Sequence, residues 1–262
     1  MQTAIGKAVS LARVLRRDPR EFADRVAAIV AGRADGWRPR PRYDTVTWEQ
    51  LSAQLPPALR PAYEGALHEA ALSRVEAAVA QRAGTCAGDG IDPRHDGDVL
   101  LARCCYALVR AARPRTLLET GVAHGVTTAY MLAALHENGA GDLHSIDVPP
   151  HDAGAAEQVG AFVPDGLRAR WQLHYGMSHR VLPRVLAALR TVDFFLHDSL
   201  HTYANMTFEF RAIWPHLRAG GVVVSDDVEG NRAFLELRDR EPSCHVTCSA
   251  AGKPALFGVA LK

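Results

Sequence analysis

The sequence predicts an α/β fold in which a mainly parallel sheet is covered by helices on both faces. From about residue 98 onward, short apolar runs alternate with amphipathic helical segments, as they do when helices connect parallel strands. The last two runs, 244–249 and 255–261, alternate around Gly252 and Lys253 like an antiparallel hairpin. The 262 residues are enough for one large domain with an extension.

The composition excludes several classes of protein. It is 48% hydrophobic and 23% charged, with a net charge of +1, which indicates a globular protein and gives no basis for a nucleic-acid partner. No apolar run approaches the roughly 20 residues that span a bilayer, and charges at Arg13, Arg16 and Asp18 interrupt any signal-peptide core. The five cysteines lack zinc-ligand spacing. We therefore expect a cytoplasmic protein with reduced thiols and no membrane partner.

Residues 1–95 are expected to form a helical extension that caps a site or builds a homo-oligomer. Pro19 divides the first apolar periodicity into two helices, and Thr47 with Gln50 forms a capping box. Residues 84–97 are rich in Gly and Asp and are expected to form a linker. The segments with helical periodicity are 1–18, 19–31, 47–55 and 61–82.

Residues 96–262 are expected to form the main domain. Gly220 and Gly221 are expected to cap its last predicted helix. The predicted helices are 98–112, one that ends at Leu135, 182–189 and 203–217, and the predicted strands before the hairpin are 116–119, 143–147, 192–197 and 222–225.

The first two strands indicate a nucleoside cofactor. The first runs into Glu119 and Gly121, and a loop then closes on Gly125 and opens a helix. Glycines permit a tight turn and close approach of a ligand, and a helix start offers free N–H groups to an anion. The second strand ends in Asp147, placed to accept hydrogen bonds from ribose hydroxyls.

The spacing of the glycines narrows the choice of nucleoside. It reads G-x-x-x-G and not G-x-G-x-x-G, which disfavours an NAD-linked dehydrogenase. The preceding acid, Glu119, repels a pyrophosphate and suits a cationic ligand. S-adenosylmethionine (SAM) carries a sulfonium, an amino group and a ribose. The pattern therefore resembles the first two motifs of class I SAM-dependent methyltransferases.

Acids also follow two later strands. Asp198 follows strand 192–197, and Asp226 with Asp227 follows strand 222–225. Ligands bind at the carboxyl ends of such strands, and three converging carboxylates repel one another unless a cation lies between them. Oxygen ligands suit Mg²⁺. The alternative is that one of the pair caps the next helix.

Two segments, 193–203 and 220–228, resemble metal-dependent O-methyltransferases of the catechol type and a related bacterial group that acts on macrolide sugars and other natural products. The resemblance covers residues 98–262. It implies a Rossmann-like class I methyltransferase sheet with a terminal antiparallel hairpin. It also implies that Asp198, Asp226 and Asp227 are metal ligands. Catechol-type enzymes usually carry Asn at the last position, whereas the sugar-modifying group has an acid there.

The same resemblance implies the cofactor contacts. Thr127 aligns where a hydroxyl meets the methionine carboxylate, and Ser178 lies in a Gly-x-Ser turn that borders the adenine; alternatively, Thr127 is a helix N-cap and Ser178 a turn residue. The aligned residues are Glu119, Thr120, Gly121, Gly125, Thr127, Asp147, Ser178 and Asp198.

Catalysis is assigned to Asp198 and His201. His201 lies three residues after Asp198, where catechol-type enzymes carry a lysine base. An imidazole takes a proton near neutral pH, and a nearby cation makes a hydroxyl easier to deprotonate. The alternative is a structural His201. His197 is expected to be a packed core residue, and His124 a loop contact or a solvent-facing residue.

The function expected from these residues is Mg²⁺-dependent O-methylation of a small molecule by SAM. The acceptor would be a natural-product sugar, a polyketide or a catechol-like aromatic. Two alternatives stay open: a metal-independent N- or C-methyltransferase, and a non-catalytic SAM-fold interaction protein. Glu119, Asp147 and the three later acids argue against the last of these.

Overall fold

The computed structural model describes residues 14–16, 18–85, 91, 96–148, 155–241, 244–249 and 255–262. Most of the first predicted helix and of the 84–97 linker lies outside these residues, and so does the turn of the C-terminal hairpin. Within the described ranges, no helix is both long and apolar enough to cross a membrane.

In the part of the chain that the structure describes, seven strands form one sheet in the order β3-β2-β1-β4-β5-β7-β6. Strands β1 to β5 are mutually parallel, and β7 runs antiparallel to both β5 and β6, which confirms the predicted fold class. The strands are β1 Thr116–Thr120, β2 Asp142–Asp147, β3 Trp171–Tyr175, β4 Val192–His197, β5 Leu217–Ser225, β6 Cys244–Ser249 and β7 Leu256–Leu261. The strand order reverses between β1 and β4, and ligands bind at such a switch point.

Helices cover both faces of the sheet. Asp98 caps α5 by accepting the Leu100 N–H at 2.9 Å, and Gln50 accepts the Thr47 N–H at 3.2 Å as the capping box predicts. The helices are α1 Pro19–Asp35, α2 Trp48–Gln54, α3 Arg60–Ala66, α4 Ala70–Thr85, α5 Val99–Ala112, α6 Val126–Asn138, α7 Ala155–Gln158, α8 Ser178–Leu189, α9 Tyr203–Ile213 and α10 Ala233–Arg240.

Alternate strand residues enter two hydrophobic cores. Leu117 packs into a core with α5, α6 and the N-terminal helices α2 to α4, whereas Leu118 packs into a core with α8, α9 and α10. Because both faces of the central strands are buried, these strands read as continuous apolar runs. None of the residues described for α1 is buried.

Three predictions about local structure are wrong. The predicted helix 61–82 is divided into α3 and α4, because residues 67–69 are not helical. Helix α9 ends at Ile213 and not at Leu217, because Pro215 has no N–H to donate and its ring obstructs a continuing helix. Gly220 and Gly221 do not cap it but lie inside β5, where the pairing with β4 shifts in register. Strand β3 was not predicted; all five of its residues are half-buried or exposed, so it lacks an apolar run.

Candidate active site

The loop after β1 lies directly against Asp198. Gly121 has φ of 86°, and a Cβ at this position would collide with the carbonyl oxygen of Asp198. The Asp198 N–H donates to the Thr120 carbonyl oxygen at 2.8 Å. A glycine is therefore required by the backbone of Asp198, and the predicted cofactor loop contacts the predicted metal ligand.

Asp147 holds the same loop from the neighbouring strand. Its Oδ2 accepts the N–H groups of Val122 at 3.2 Å and Ala123 at 3.0 Å. Burial raises the pKa of Asp147 above its ordinary value, although these backbone donors oppose the rise. The carboxylate thus lies at the carboxyl end of β2 beside the loop, where a ribose contact was predicted.

Glu119 lies deeper than its predicted contact with a cationic ligand requires. Its side chain is fully buried and accepts hydrogen bonds from Ser145 Oγ at 2.6 Å and Thr128 Oγ1 at 2.9 Å. Burial raises the pKa of Glu119 to about 8, although these two hydroxyls oppose the rise. Glu119 therefore joins β1, β2 and α6, and its contact with SAM stays a prediction.

The start of α6 presents the buried hydroxyl of Thr127. Gly125 caps the helix with φ of 85°, so the alternative role of Thr127 as the N-cap is wrong. Thr127 Oγ1 is buried and has no partner among the described residues. A Cβ at Gly97 would collide with this oxygen and would lie 3.5 Å from Asp198 Oδ2. A buried polar atom without a partner here fits the predicted contact with a ligand carboxylate.

Two of the three predicted metal ligands converge, and His201 joins them. Asp198, His201 and Asp226 each offer one ligand atom, and these atoms lie within 4.8 Å of one another. His201 Nε2 is 3.8 Å from Asp198 Oδ1, and His201 Nδ1 is 3.4 Å from Asp227 Oδ2. Asp227 has φ of 48° and is the N-cap residue of a short 3-10 helix, Val228–Gly230, although its side chain makes no capping hydrogen bond. Its role as a ligand stays a prediction.

This donor set fits a divalent cation. The Asp226 side chain is 3% exposed and that of Asp198 is 13% exposed, and two converging carboxylates of this burial repel unless positive charge is near. Carboxylate oxygens suit Mg²⁺, and an imidazole nitrogen adds a ligand that Mn²⁺ and other transition metals accept.

A buried hydrogen bond below this cluster was missed at the sequence level. His197 is completely buried, as predicted for a core residue, but its Nδ1 lies 2.6 Å from Oε2 of Glu209 in α9. The signal was available: Glu209 follows Met206 by three residues and so falls on the buried face of the helix.

The remaining predicted residues lie around the same edge. His124 is a loop contact and not solvent-facing: it is 5% exposed, and its Nδ1 is 3.0 Å from Asp96, a residue not singled out from the sequence. Ser178 opens α8, and its hydroxyl donates to Asn205 Oδ1 at 3.0 Å. Its predicted position beside the adenine stays a prediction.

The N-terminal extension reaches this edge through α1. Asp24 pairs with Arg180 of α8 at 2.6 and 3.0 Å, and Asp35 accepts the N–H of Tyr203, the first residue of α9, at 2.6 Å. Arg38 lies over the Tyr203 ring, 4.9 Å from its centroid. The extension therefore contacts the helices that begin beside the predicted site.

Residues 118–228 match a family model described as a methyltransferase domain. A search of curated proteins found no significant match.

Several solved structures share the fold. The O-methyltransferase TomG from Streptomyces achromogenes, involved in tomaymycin synthesis and solved with SAM, is 19% identical, with a TM-score of 0.55, covering 74% of this chain and 90% of TomG. An O-methyltransferase from Bacillus cereus in complex with SAH, S-adenosylhomocysteine, is 19% identical, with a TM-score of 0.53 and coverages of 74% and 91%. Cofactor-bound Rv0187 from MTB is 17% identical, with a TM-score of 0.55 and coverages of 79% and 98%.

The chain has the sheet order of a Rossmann-like methyltransferase fold, and its residues 118–228 match a methyltransferase domain. Its fold is that of the SAM-dependent O-methyltransferases.

Proposed function

We propose that this protein methylates a hydroxyl group of a small molecule and that a divalent cation, Mg²⁺, assists the reaction. The observation that carries the proposal is the convergence of Asp198, Asp226 and His201 directly against the cofactor loop at Gly121. The contact brings a set of cation ligands next to the place where the methyl donor is expected.

Different residues of the chain would bind the cofactor and the cation. Asp147, at the end of β2, is placed to accept hydrogen bonds from the ribose, and Thr127 offers its buried hydroxyl to the methionine carboxylate. Asp198 and Asp226 would hold the cation with Asp227 as the predicted third ligand, so that the imidazole of His201 beside them is left to accept a proton. When bound, SAM supplies the methyl group, and the cation lowers the pKa of a neighbouring hydroxyl.

His201 is proposed as the proton acceptor. Its imidazole is 27% exposed and lies between the carboxylates of Asp198 and Asp227. These carboxylates orient the ring and stabilise the imidazolium that forms when His201 takes the hydroxyl proton. With SAM bound, the deprotonated oxygen would attack its methyl carbon, the methyl–sulfur bond would break, and SAH would leave as the neutral thioether. The structural alternative for His201 predicts no effect of this imidazole on turnover.

The acceptor is proposed to be a natural-product sugar, a polyketide or a catechol-like aromatic. Support comes from the resemblance of segments 193–203 and 220–228 to enzymes of this kind, and from the fold shared with TomG. We also propose that residues 1–95 form a cap or an oligomer contact on the 96–262 domain, that the protein is a homo-oligomer, and that it acts in the cytoplasm.

The proposal is tested by methyl transfer from labelled SAM to a panel of hydroxylated natural products, with Mg²⁺ or with excess EDTA. Wild-type turnover should require Mg²⁺, and Asp226→Asn should abolish it. The matched control is Asp193→Asn. Asp193 accepts the N–H groups of Arg115 and Thr116 at the opposite end of β4, so its loss should leave turnover per folded molecule intact. Full turnover in EDTA would refute the proposed requirement for a cation and favour metal-independent N- or C-methylation.

A further inference from the structure

The carboxylate of Glu209 is the centre of a buried hydrogen-bond network. The side chain is fully buried within α9. Its Oε2 accepts from Thr120 Oγ1 and His197 Nδ1, both at 2.6 Å. Its Oε1 accepts from Ser199 Oγ and Asn205 Nδ2, both at 3.0 Å. Each oxygen thus receives two hydrogen bonds, which offsets the cost of burying the group.

The partners of Glu209 belong to the elements that carry the proposed site. Thr120 ends β1 and immediately precedes Gly121. His197 and Ser199 flank Asp198 on both sides. Asn205 Oδ1 accepts a hydrogen bond from the hydroxyl of Ser178, at the start of α8. One carboxylate therefore links the cofactor loop, both neighbours of a proposed cation ligand and the turn proposed to border the adenine.

The ionised form of Glu209 is the one that this network favours. Burial alone would raise its pKa, but the charge of His197 and the surrounding hydrogen bonds outweigh burial and lower the pKa below its ordinary value. An ionised carboxylate accepts all four hydrogen bonds, whereas protonation turns part of this acceptor capacity into an O–H donor, and a glutamine of the same size has only one acceptor oxygen. Glu209 itself takes no part in the proposed chemistry.

We infer that Glu209 is a positioning residue that couples the cofactor loop to the cation-binding Asp198. The inference rests on the proposed function. Its geometric basis is that the cofactor loop and Asp198 already contact each other through their backbones. The Asp198 N–H donates to the Thr120 carbonyl oxygen, and Gly121 packs on the carbonyl group of Asp198. Glu209 fixes the side chains on either side of this contact, so that an ordered cofactor loop also orders Asp198.

Substitutions at Glu209 should therefore lower the affinity for a cation by more than any loss of folded protein explains. Glu209→Ala removes all four hydrogen bonds. Glu209→Gln keeps one acceptor oxygen and should recover part of the function. Partners behind metal ligands typically change metal affinity by about 10–100-fold, and we expect a loss in this range for Glu209→Ala. Ser199→Ala, which removes a single bond beside Asp198, should cause a smaller loss in the same direction.

The experiment measures Mn²⁺ affinity by electron paramagnetic resonance with and without saturating SAH, and SAH affinity by calorimetry. Asp193→Asn is the matched control, because Asp193 also links β1 to β4 and bonds Arg218 of β5, but at the far end of the sheet. Thermal denaturation gives the stability of every variant.

The expected result is that SAH strengthens Mn²⁺ binding in the wild type and in Asp193→Asn, that Glu209→Ala loses this strengthening, and that Glu209→Gln retains part of it. If the Glu209 and Ser199 variants bind Mn²⁺ with the same affinity and the same SAH dependence as Asp193→Asn, the inference is overturned. If Glu209→Ala does not fold, Glu209→Gln and Ser199→Ala decide by the same criterion. A wild type that binds neither SAH nor Mn²⁺ would refute the proposed function itself.

Discussion

Replacing Glu119 by glutamine tests whether a buried acid opposes stability at neutral pH. Glu119 is fully buried between β1, β2 and α6. Burial raises its pKa from 4.5 to about 8. Since each pH unit of pKa difference corresponds to about 1.4 kcal/mol, ionising Glu119 in the folded protein costs about 5 kcal/mol relative to the unfolded chain.

The sign of the pH dependence follows from proton binding. Between pH 4.5 and 8 the unfolded chain has lost the Glu119 proton while the folded protein keeps it, so this group lowers the free energy of unfolding as pH rises. Glutamine does not titrate. The stability of Glu119→Gln relative to the wild type should therefore increase by about 3.5 kcal/mol from pH 5 to pH 8.

Urea denaturation of both proteins at pH 5, 6, 7 and 8 measures this difference. Because the other titrating groups are common to the two proteins, their contributions largely cancel. Any loss of hydrogen bonding from Ser145 or Thr128 to the glutamine adds a constant that does not depend on pH. A stability difference that stays flat or decreases with pH would refute the reasoning.

Three further outcomes are expected. If the cationic sulfonium of SAM lies near Glu119, SAM binding should favour the ionised carboxylate and release a proton. Calorimetry in buffers of different ionisation enthalpy should detect this release in the wild type but not in Glu119→Gln. Equal proton release by the two proteins would contradict this. Asp147→Ala should weaken SAM binding by about 1–3 kcal/mol through the loss of ribose hydrogen bonds, and an unchanged calorimetric affinity would argue against that contact. His201→Ala should lower kcat by about 10²–10⁴ with SAM affinity nearly intact, and added imidazole should restore part of the rate; a variant with wild-type kcat would show that His201 is structural.

Much of the fold was predictable because the central strands are buried on both faces. The apolar runs 192–197 and 222–225 identified β4 and β5 directly. Strand β3 lies at the edge of the sheet, where residues of mixed exposure leave no apolar run. The predicted end of α9 was wrong because it relied on Gly220 and Gly221 as the cap, whereas Pro215 ends the helix earlier.

The candidate site was predictable in part for a related reason. Acids that follow parallel strands share one edge of the sheet, and this rule brings Asp198 and Asp226 together. It does not say which way a side chain turns after the strand ends. Here the ligand atoms that converge belong to Asp198, Asp226 and His201, and Asp227 is not in this group. The periodicity of α9 places Glu209 on the buried face of the helix, but its contact with His197 depends on how α9 is oriented against β4, which no local pattern specifies.

The most direct test of the central claim is a calorimetric titration of Mg²⁺ into SAH-saturated protein, because it requires no knowledge of the methyl acceptor. We expect a single cation site in the wild type and in Asp193→Asn, and loss of that site in Asp226→Asn, where a nearly buried carboxylate becomes a neutral amide. Absence of Mg²⁺ binding to the wild type, or equal binding by Asp226→Asn, would contradict it.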